Sequence, residues 1–187
     1  MQRPLPDPAL EIQKLRLFFA LWPDKQTRLA LSHWRDVLRH QTGGRAMETE
    51  DLHLTLAFIG DVAAELRDPI ALAVEPVQAR RFPLKIDRPD YWKHNRIVWA
   101  GCAQVPPILE ELVVELRSAL LKTGIRFDDK AFVPHITLLR NAPRDFELAD
   151  LRPIEWQIDR FVLLQSAAGQ RPRYRVLKEW IAKTGSC

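Results

Sequence analysis

The sequence predicts one α+β domain, and three observations lead to this fold class. The chain has 187 residues, which is close to the usual size of one domain. Candidate strands alternate with candidate helices, but no glycine-rich phosphate loop follows a strand as it does in a dinucleotide-binding sheet. A four-residue motif that begins at His53 begins again at His135, which indicates two similarly built halves that face each other.

Composition excludes several classes of protein. With 47% hydrophobic and 28% charged residues, the chain is typical of a globular protein and not of a disordered one. No apolar run approaches the roughly 18 to 20 residues that span a bilayer. Residues 1–14 lack the apolar core of a secretory signal, so we expect an N-terminal extension on a cytoplasmic protein without membrane contact.

Charge and cysteine content narrow the choice of partners only slightly. Two cysteines are too few for a disulfide framework or for a structural zinc site of the usual kind. The net charge of +4 is compatible with a polyanionic partner such as RNA, but many ordinary proteins carry a similar surplus. Nothing in the sequence indicates an obligate interface, so we expect a monomer.

The first half of the chain predicts strands and helices in alternation. Asp24 can cap a helix that Gly43 ends, and Gly60 closes a second strand. Prolines 69 and 76 fall inside the next helical stretch and make its limits uncertain. In chain order, the elements are a strand over Leu15–Trp22, a helix over Lys25–Gln41, a strand over Leu52–Ile59, a helix over Ala63–Ala79 and a strand over Phe82–Asp87. The apolar stripe of the first helix consists of Leu29, Trp34, Val37 and Leu38.

The second half contains the clearest helix of the chain. Pro107 opens it and Gly124 is a natural terminator. Its apolar stripe is formed by Leu109, Leu112, Val113, Leu116, Leu120 and Leu121. The predicted elements are a turn around Asp90–Asn95, a strand over Arg96–Cys102, a helix over Ile108–Lys122, and strands over Ile136–Leu139, Trp156–Gln165 and Arg173–Leu177.

The repeated motif has the form His-apolar-Thr-apolar. Because alternate side chains of a strand point to opposite faces, His53 and Thr55 emerge together while the two leucines between and after them pack behind. His135 and Thr137 have the same relation. One such strand histidine carries little weight, since it is more often a surface or core residue, but two copies predict a shared site of two imidazoles and two hydroxyls.

That set of groups suits attack at phosphorus with loss of an alkoxide. A neutral imidazole can take a proton from the nucleophile while a protonated one gives a proton to the leaving oxygen, and a pKa near 6.5 lets both forms coexist. The threonine hydroxyls can donate hydrogen bonds to the non-bridging oxygens. This chemistry needs no metal.

Two further residues extend the motifs, but strict alternation of side chains along a strand would turn both of them away from the histidines. Arg140 could bind phosphate oxygens through its guanidinium, although it would face away from His135 unless the strand ends or twists. Phe58 could stack on a base if a bulge or the end of the strand re-aims it. Of the other histidines, we expect His33 and His40 to be solvated on a helix and His94 to lie in a turn. The tryptophans are expected mainly in the core, with Trp92 the least certain.

The segments HLTLAFIG (53–60) and PHITLLR (134–140) resemble the two signature motifs of the two-histidine (2H) phosphoesterase superfamily. More narrowly, they resemble those of the RNA 2',3'-cyclic phosphodiesterases, the LigT or ThpR family, also called 2'-5' RNA ligases. RLFFAL (16–21), RIVWAG (96–101) and RPRYRVLKEW (171–180) extend the resemblance, which covers roughly residues 15–180.

The resemblance implies a bilobal α+β fold over residues 15–187, with antiparallel sheets lining a central cleft and helices outside. It implies hydrolysis of a terminal RNA 2',3'-cyclic phosphate to a 2'-phosphate, with possible ATP-independent 2'-5' ligation in reverse and with no cofactor. By motif, His53 and His135 are the catalytic residues, with Thr55, Thr137 and Arg140 on the phosphate and Phe58 near the terminal base.

The motifs are also compatible with other functions. The substrate could be a different cyclic phosphate, such as ADP-ribose 1'',2''-cyclic phosphate, or a 2'-5' linked oligoadenylate. The chain could also be an RNA-end binding module without turnover. A metallohydrolase that uses the histidines as ligands is disfavoured, because the motifs place no Asp or Glu on the same face.

Overall fold

The computed structural model describes residues 13–144, 147, 151–167 and 169–182. The predicted extension, residues 1–14, lies outside this part of the chain except for Gln13 and Lys14, and Lys14 already belongs to the first strand. Among the described helices, none is both long and apolar enough to cross a membrane. The described elements are β1 (Lys14–Leu21), α1 (Lys25–Thr42), β2 (Arg45–Ala46), β3 (Leu54–Ala63), α2 (Arg67–Ala73), β4 (Phe82–Ile86), β5 (Arg88–Trp92), β6 (Ile97–Gly101), α3 (Pro107–Lys122), β7 (His135–Arg140), β8 (Ile154–Ile158), β9 (Arg160–Ser166) and β10 (Tyr174–Ile181).

One large antiparallel sheet joins the two halves of the protein. Its strand order is β10-β9-β1-β3-β7-β6-β5, and β2 adds beside β7. The halves meet where β3 lies next to β7, so the two motif-bearing strands are neighbours. Helix α1 packs against β7 and β8 while α3 packs against β3, so each of these helices covers the motif strand of the other half. The strands β4 and β8 form a separate two-stranded sheet.

Strand β1 is apolar from Leu17 to Leu21, where both of its faces are covered. Leu17 and Phe19 point into the main core beneath the helices. Phe18 and Ala20 point to the opposite face, where they pack with residues of β9 in a second, smaller cluster. An unbroken apolar run is the pattern expected for a strand buried on both sides.

The two long helices confirm their sequence signals. The Asp24 carboxylate accepts a hydrogen bond from the Thr27 backbone N–H at 2.7 Å, and Gly43 ends α1 with φ of +67°. Helix α3 begins at Pro107, as proline at the first helical position favours. For two residues of the predicted apolar stripes, however, the predicted burial is wrong. Leu29 is 56% exposed because it lies opposite the buried residues of α1, and Leu121 is 64% exposed because it lies outside the buried stripe of α3.

The region after the first motif differs from the prediction. The strand β3 does not close at Gly60 but continues to Ala63, because Gly60 adopts φ of +87° within a β-bulge against β1. The predicted helix over Ala63–Ala79 is reduced to a 3₁₀ turn and the short α2. Pro69 fits the first turn of α2, where its missing N–H costs nothing, and the helix ends before Pro76.

Three other regions, which contain four strands, differ from the prediction. The strand β5 is absent from it, since its Pro89 and Asp90 have low strand propensity, but an edge strand tolerates proline. The run predicted as one strand over Trp156–Gln165 is two strands, β8 and β9, that break at Asp159. Finally, β10 starts one residue later than predicted and runs on to Ile181.

Candidate active site

The two motifs are related by a local two-fold axis between β3 and β7. Leu54 and Ile136 are paired across the antiparallel strands, and both are fully buried. Extending this register by one residue in each direction sets His53 opposite Thr137 and Thr55 opposite His135. The alternation predicted from the sequence is therefore confirmed, and it places all four polar side chains on the face away from the main core.

Each histidine ring is fixed by the same local hydrogen bond. Nδ1 of His53 lies 2.6 Å from the carbonyl oxygen of Asp51, and Nδ1 of His135 lies 2.7 Å from that of Val133. A carbonyl only accepts hydrogen bonds, so Nδ1–H is the donor in both rings. In the neutral ring, Nε2 then keeps its lone pair and is the nitrogen available for proton transfer.

All six residues predicted for the site line one cavity of about 190 Å³. These are His53, Thr55, Phe58, His135, Thr137 and Arg140. The cavity thus brings together groups from both halves of the chain. It is large enough to hold a phosphate with part of a sugar.

Matching β-bulges explain why Phe58 and Arg140 reach this cavity. On β7, Trp99 pairs with Thr137 and Val98 with Leu139, so Leu138 is the extra residue. After this bulge, the side-chain alternation reverses and Arg140 faces the cavity. On β3, Ala20 pairs with Thr55 and Phe19 with Ala57, so Leu56 is the extra residue.

The two bulges fall at the same position of the repeat, directly after each threonine. As a result, Phe58 and Arg140 occupy equivalent places, each five residues after its histidine. The expectation that strict alternation turns them away is wrong, and the reason is this extra residue in each strand.

Burial makes both imidazoles hard to protonate in the ligand-free protein. Desolvation lowers the pKa of His53 to about 4, with the charges of His135 and Arg140 acting in the same direction. Burial also lowers the pKa of His135, again helped by Arg140. Both rings are therefore neutral near pH 7, and an anionic ligand in the cavity would raise both pKa values.

Aromatic side chains supply much of this burial. The ring of His53 has its centroid 5.0 Å from that of Phe18 and 4.8 Å from that of Tyr174. The ring of His135 lies 4.6 Å from that of Trp92, which is half-buried at the site and not part of the core. Both histidines therefore pack against aromatic rings, but these rings belong to unrelated residues.

Arg140 shows a feature expected of a ligand-binding side chain. Its Nε is buried and has no hydrogen-bond partner among the described residues. Burial lowers its pKa, and the charges of Arg173 and Arg45 lower it further. A buried, unpaired guanidinium N–H is costly, and a phosphate oxygen would satisfy it.

A larger pocket of about 510 Å³ adjoins the cavity. It shares Thr55, Phe58 and His135 with the smaller one, and Trp92 and Phe132 add aromatic walls. His94 lies in the turn as predicted and lines this pocket, whereas His33 and His40 are exposed on α1. Its volume is in the range of small-molecule sites.

Sequence reasoning missed the part of the site that comes from outside the motifs. The additional cavity-lining residues are Arg16, Phe18, Met47, Asp51, Ser166, Arg173 and Tyr174. Within the described residues, no group of three or more His, Cys, Asp or Glu side chains is arranged to hold a metal ion.

Comparisons with known proteins agree with this geometry. The RNA 2',3'-cyclic phosphodiesterase of Escherichia coli is 36% identical over 170 residues, which cover 88% of this chain and 95% of that protein. The RNA 2',3'-cyclic phosphodiesterase of Thermus thermophilus is 29% identical over 177 residues, 89% of each chain. The crystal structure of E. coli LigT complexed with 3'-AMP superposes with a TM-score of 0.78 at 33% identity, covering 91% of this chain and 99% of that one. The family model of the 2'-5' RNA ligase superfamily matches residues 21–170. The chain belongs to the 2'-5' RNA ligase superfamily.

Proposed function

We propose that this protein is an RNA 2',3'-cyclic phosphodiesterase that hydrolyses a terminal cyclic phosphate to a 2'-phosphate without a metal ion. The observation that carries the proposal is the pair of histidines, one directly before β3 and the other at the beginning of β7, each held by an Nδ1 hydrogen bond and lining one small cavity. The similarity to the RNA 2',3'-cyclic phosphodiesterases of E. coli and T. thermophilus supports the same reaction.

The proposed reaction is an in-line displacement at phosphorus. Water attacks phosphorus while Nε2 of His135 takes one of its protons. The bond from phosphorus to the 3' oxygen breaks, and Nε2–H of protonated His53 gives its proton to that oxygen. The phosphate remains on the 2' oxygen, and solvent returns the proton from His135 to His53 before the next turnover.

The other cavity residues stabilise the charge on phosphate. The hydroxyls of Thr55 and Thr137 lie beside the two histidines and donate hydrogen bonds to the non-bridging oxygens. Arg140 provides a positive charge, and its unpaired Nε–H donates a hydrogen bond to a phosphate oxygen. The adjoining pocket, with Phe58 and Trp92 in its wall, receives the terminal base by stacking.

Substrate binding must also supply the protonated acid. With a pKa of about 4, His53 carries almost no charge at pH 7 in the free protein, and burial lowers the pKa of His135 as well. The anionic phosphate raises the pKa of both rings on binding, so the acid is formed in the complex.

The same groups allow ligation when a different nucleophile replaces water. If an RNA 5'-hydroxyl replaces water, His135 removes its proton and the product is a 2'-5' phosphodiester. No ATP is needed, because the energy of the strained cyclic ester drives the step. Water in bulk competes with this hydroxyl, so we propose that hydrolysis is the main activity.

Histidine variants separate catalysis from mere RNA-end binding. We expect His53→Ala and His135→Ala each to lower kcat on an RNA with a 2',3'-cyclic end by roughly 100- to 10,000-fold. Binding of an RNA that ends in a 2'-phosphate should change far less. His33→Ala, an exposed histidine on α1, is the matched control and should keep full activity. Wild-type protein that binds the RNA end without turnover would contradict the proposal.

A further inference from the structure

The catalytic cavity has a second polar end that the motifs do not use. Arg16, Ser166 and Tyr174 lie in one row across β1, β9 and β10, since Ser166 pairs with Arg16 on one side and with Tyr174 on the other. Arg173 directly precedes Tyr174, and its carbonyl oxygen accepts a hydrogen bond from the Ala167 backbone N–H. All four side chains line the same cavity as the two histidines.

This end of the cavity is cationic. Burial lowers the pKa of Arg140, and the positive charge of Arg173 lowers it further. The two guanidinium groups therefore repel each other across the cavity. Arg173 lies over the Tyr174 ring at 5.6 Å. Arg16 faces Asp61 at 3.5 Å in a long ion pair whose side chains are 51% and 58% exposed, and such exposed pairs are weak.

A single carboxylate in the cavity lining only partly offsets these charges. Asp51 is buried, and burial raises the pKa of its carboxyl, although the Arg173 charge opposes this. Three arginines around one small cavity are more than a single phosphate group needs. Their planar donors match phosphate oxygens in pairs, which is why arginine predominates where phosphates are recognised.

We propose that Arg173 and Arg16, with the hydroxyl of Ser166 between them, bind the phosphodiester that joins the terminal nucleotide to the rest of the RNA strand. This inference rests on the proposed function, because the motif end of the cavity must hold the terminal cyclic phosphate. The aromatic pocket on the other side of Thr55 takes the base, so the upstream phosphate leaves by the arginine end. The enzyme therefore prefers an oligonucleotide end to a cyclic mononucleotide.

The test compares three substrates that differ only upstream of the reacting phosphate. They are adenosine 2',3'-cyclic phosphate, the diadenosine dinucleotide with a 2',3'-cyclic end, and the same dinucleotide with an uncharged methylphosphonate linkage. We expect wild-type kcat/KM to be about tenfold to hundredfold higher for the charged dinucleotide than for the uncharged one, as a charge-assisted hydrogen bond provides.

The arginine variants then assign this preference to the site. Arg173→Ala should remove most of the preference for the charged linkage, because deleting the guanidinium and deleting the linkage charge abolish the same contact. Arg16→Ala should reduce it as well, and this second variant decides the matter if Arg173→Ala fails to fold. The control is Arg175→Ala, an exposed arginine two residues further along, in β10 and outside the cavity lining, which should retain the preference.

The outcomes distinguish the two proposals. Wild-type protein that hydrolyses none of the three substrates contradicts the proposed function and this site with it. Hydrolysis of all three, with the same preference in wild type, Arg173→Ala and Arg16→Ala, overturns the second phosphate site alone.

Discussion

At the scale of single residues, the hydrogen bond from Nδ1 to a backbone carbonyl decides what each histidine can do. Because the carbonyls of Asp51 and Val133 occupy Nδ1, both rings must work through Nε2. The motif predicts which residues are used, but not this tautomer, since the bond depends on the backbone two residues earlier. The low pKa of His53 is equally hidden from the sequence, because Phe18 and Tyr174, which bury the ring, come from β1 and β10.

A leaving group that needs no proton tests the assignment of acid and base. We predict that His53→Ala hydrolyses a 3'-deoxynucleoside 2'-(4-nitrophenyl) phosphate at close to the wild-type rate, because 4-nitrophenolate departs without protonation and no neighbouring hydroxyl can attack in place of water. His135→Ala should stay slow on this substrate, since water still needs a base. Release of nitrophenolate, followed by absorbance, measures both rates. The opposite pattern would reverse the two roles.

The pKa of His53 also predicts how stability depends on pH. Its folded value of about 4 lies below the unfolded value of 6.5, so between these pH values the unfolded chain takes up a proton that the folded protein does not. Folding stability therefore falls as the pH drops from 6.5 to 4, by about 3 kcal/mol from this residue.

Urea unfolding of wild type and His53→Gln across this pH range checks the effect. The variant removes the titrating group while the other groups remain in both proteins, so wild type should lose stability relative to the variant as the solution becomes acidic. Parallel curves for the two proteins from pH 7 to 4 would show that His53 is not buried in this way.

At the scale of elements, the paired β-bulges decide which side chains enter the cavity. Strict alternation predicts that Phe58 and Arg140 face away, and the extra residues Leu56 and Leu138 reverse this. The only trace in the sequence is that two buried apolar residues follow each threonine. That pattern is also typical of a strand buried on both faces, so the bulges could not be predicted from it.

The turn before β2 offers a test of how firmly Arg140 is held. Gly44 has φ of +89°, and a Cβ there would meet the carbonyl oxygen of Arg140 at 2.9 Å. We predict that Gly44→Ala lowers the free energy of unfolding by about 3 kcal/mol, through backbone strain and overpacking together, and also lowers kcat/KM. Gly124 has φ of +73° with nothing within 4 Å of its Cβ position, so Gly124→Ala should cost about 1 kcal/mol and leave kcat/KM unchanged. Equal effects of both substitutions would contradict this account of the turn.

At the scale of the whole molecule, one sheet brings two halves of the chain together around a two-fold axis. The repeat of the motif predicts this pairing, because each copy brings its own apolar residues to pack behind the site. The cavity is less symmetric than the motifs, however. Ser166, Arg173 and Tyr174 reach it from the C-terminal strands, and no spacing in the sequence predicts such long-range neighbours.

This asymmetry gives each half a different role. The half with β1, β9 and β10 adds the arginine end of the cavity, while the half with β5 and β6 adds the tryptophans beside His135. The two histidines are therefore equivalent in local geometry but not in surroundings, which allows one to act as acid and the other as base.

The most direct measurement is hydrolysis of an RNA with a 2',3'-cyclic end in ¹⁸O-labelled water containing EDTA. Our account predicts that turnover continues in the chelator, that one labelled oxygen enters the phosphate, and that the phosphate stays on the 2' oxygen. A 3'-phosphate product, or activity that disappears in EDTA and returns with a divalent metal, would contradict metal-free attack by water with one imidazole as base and the other as acid.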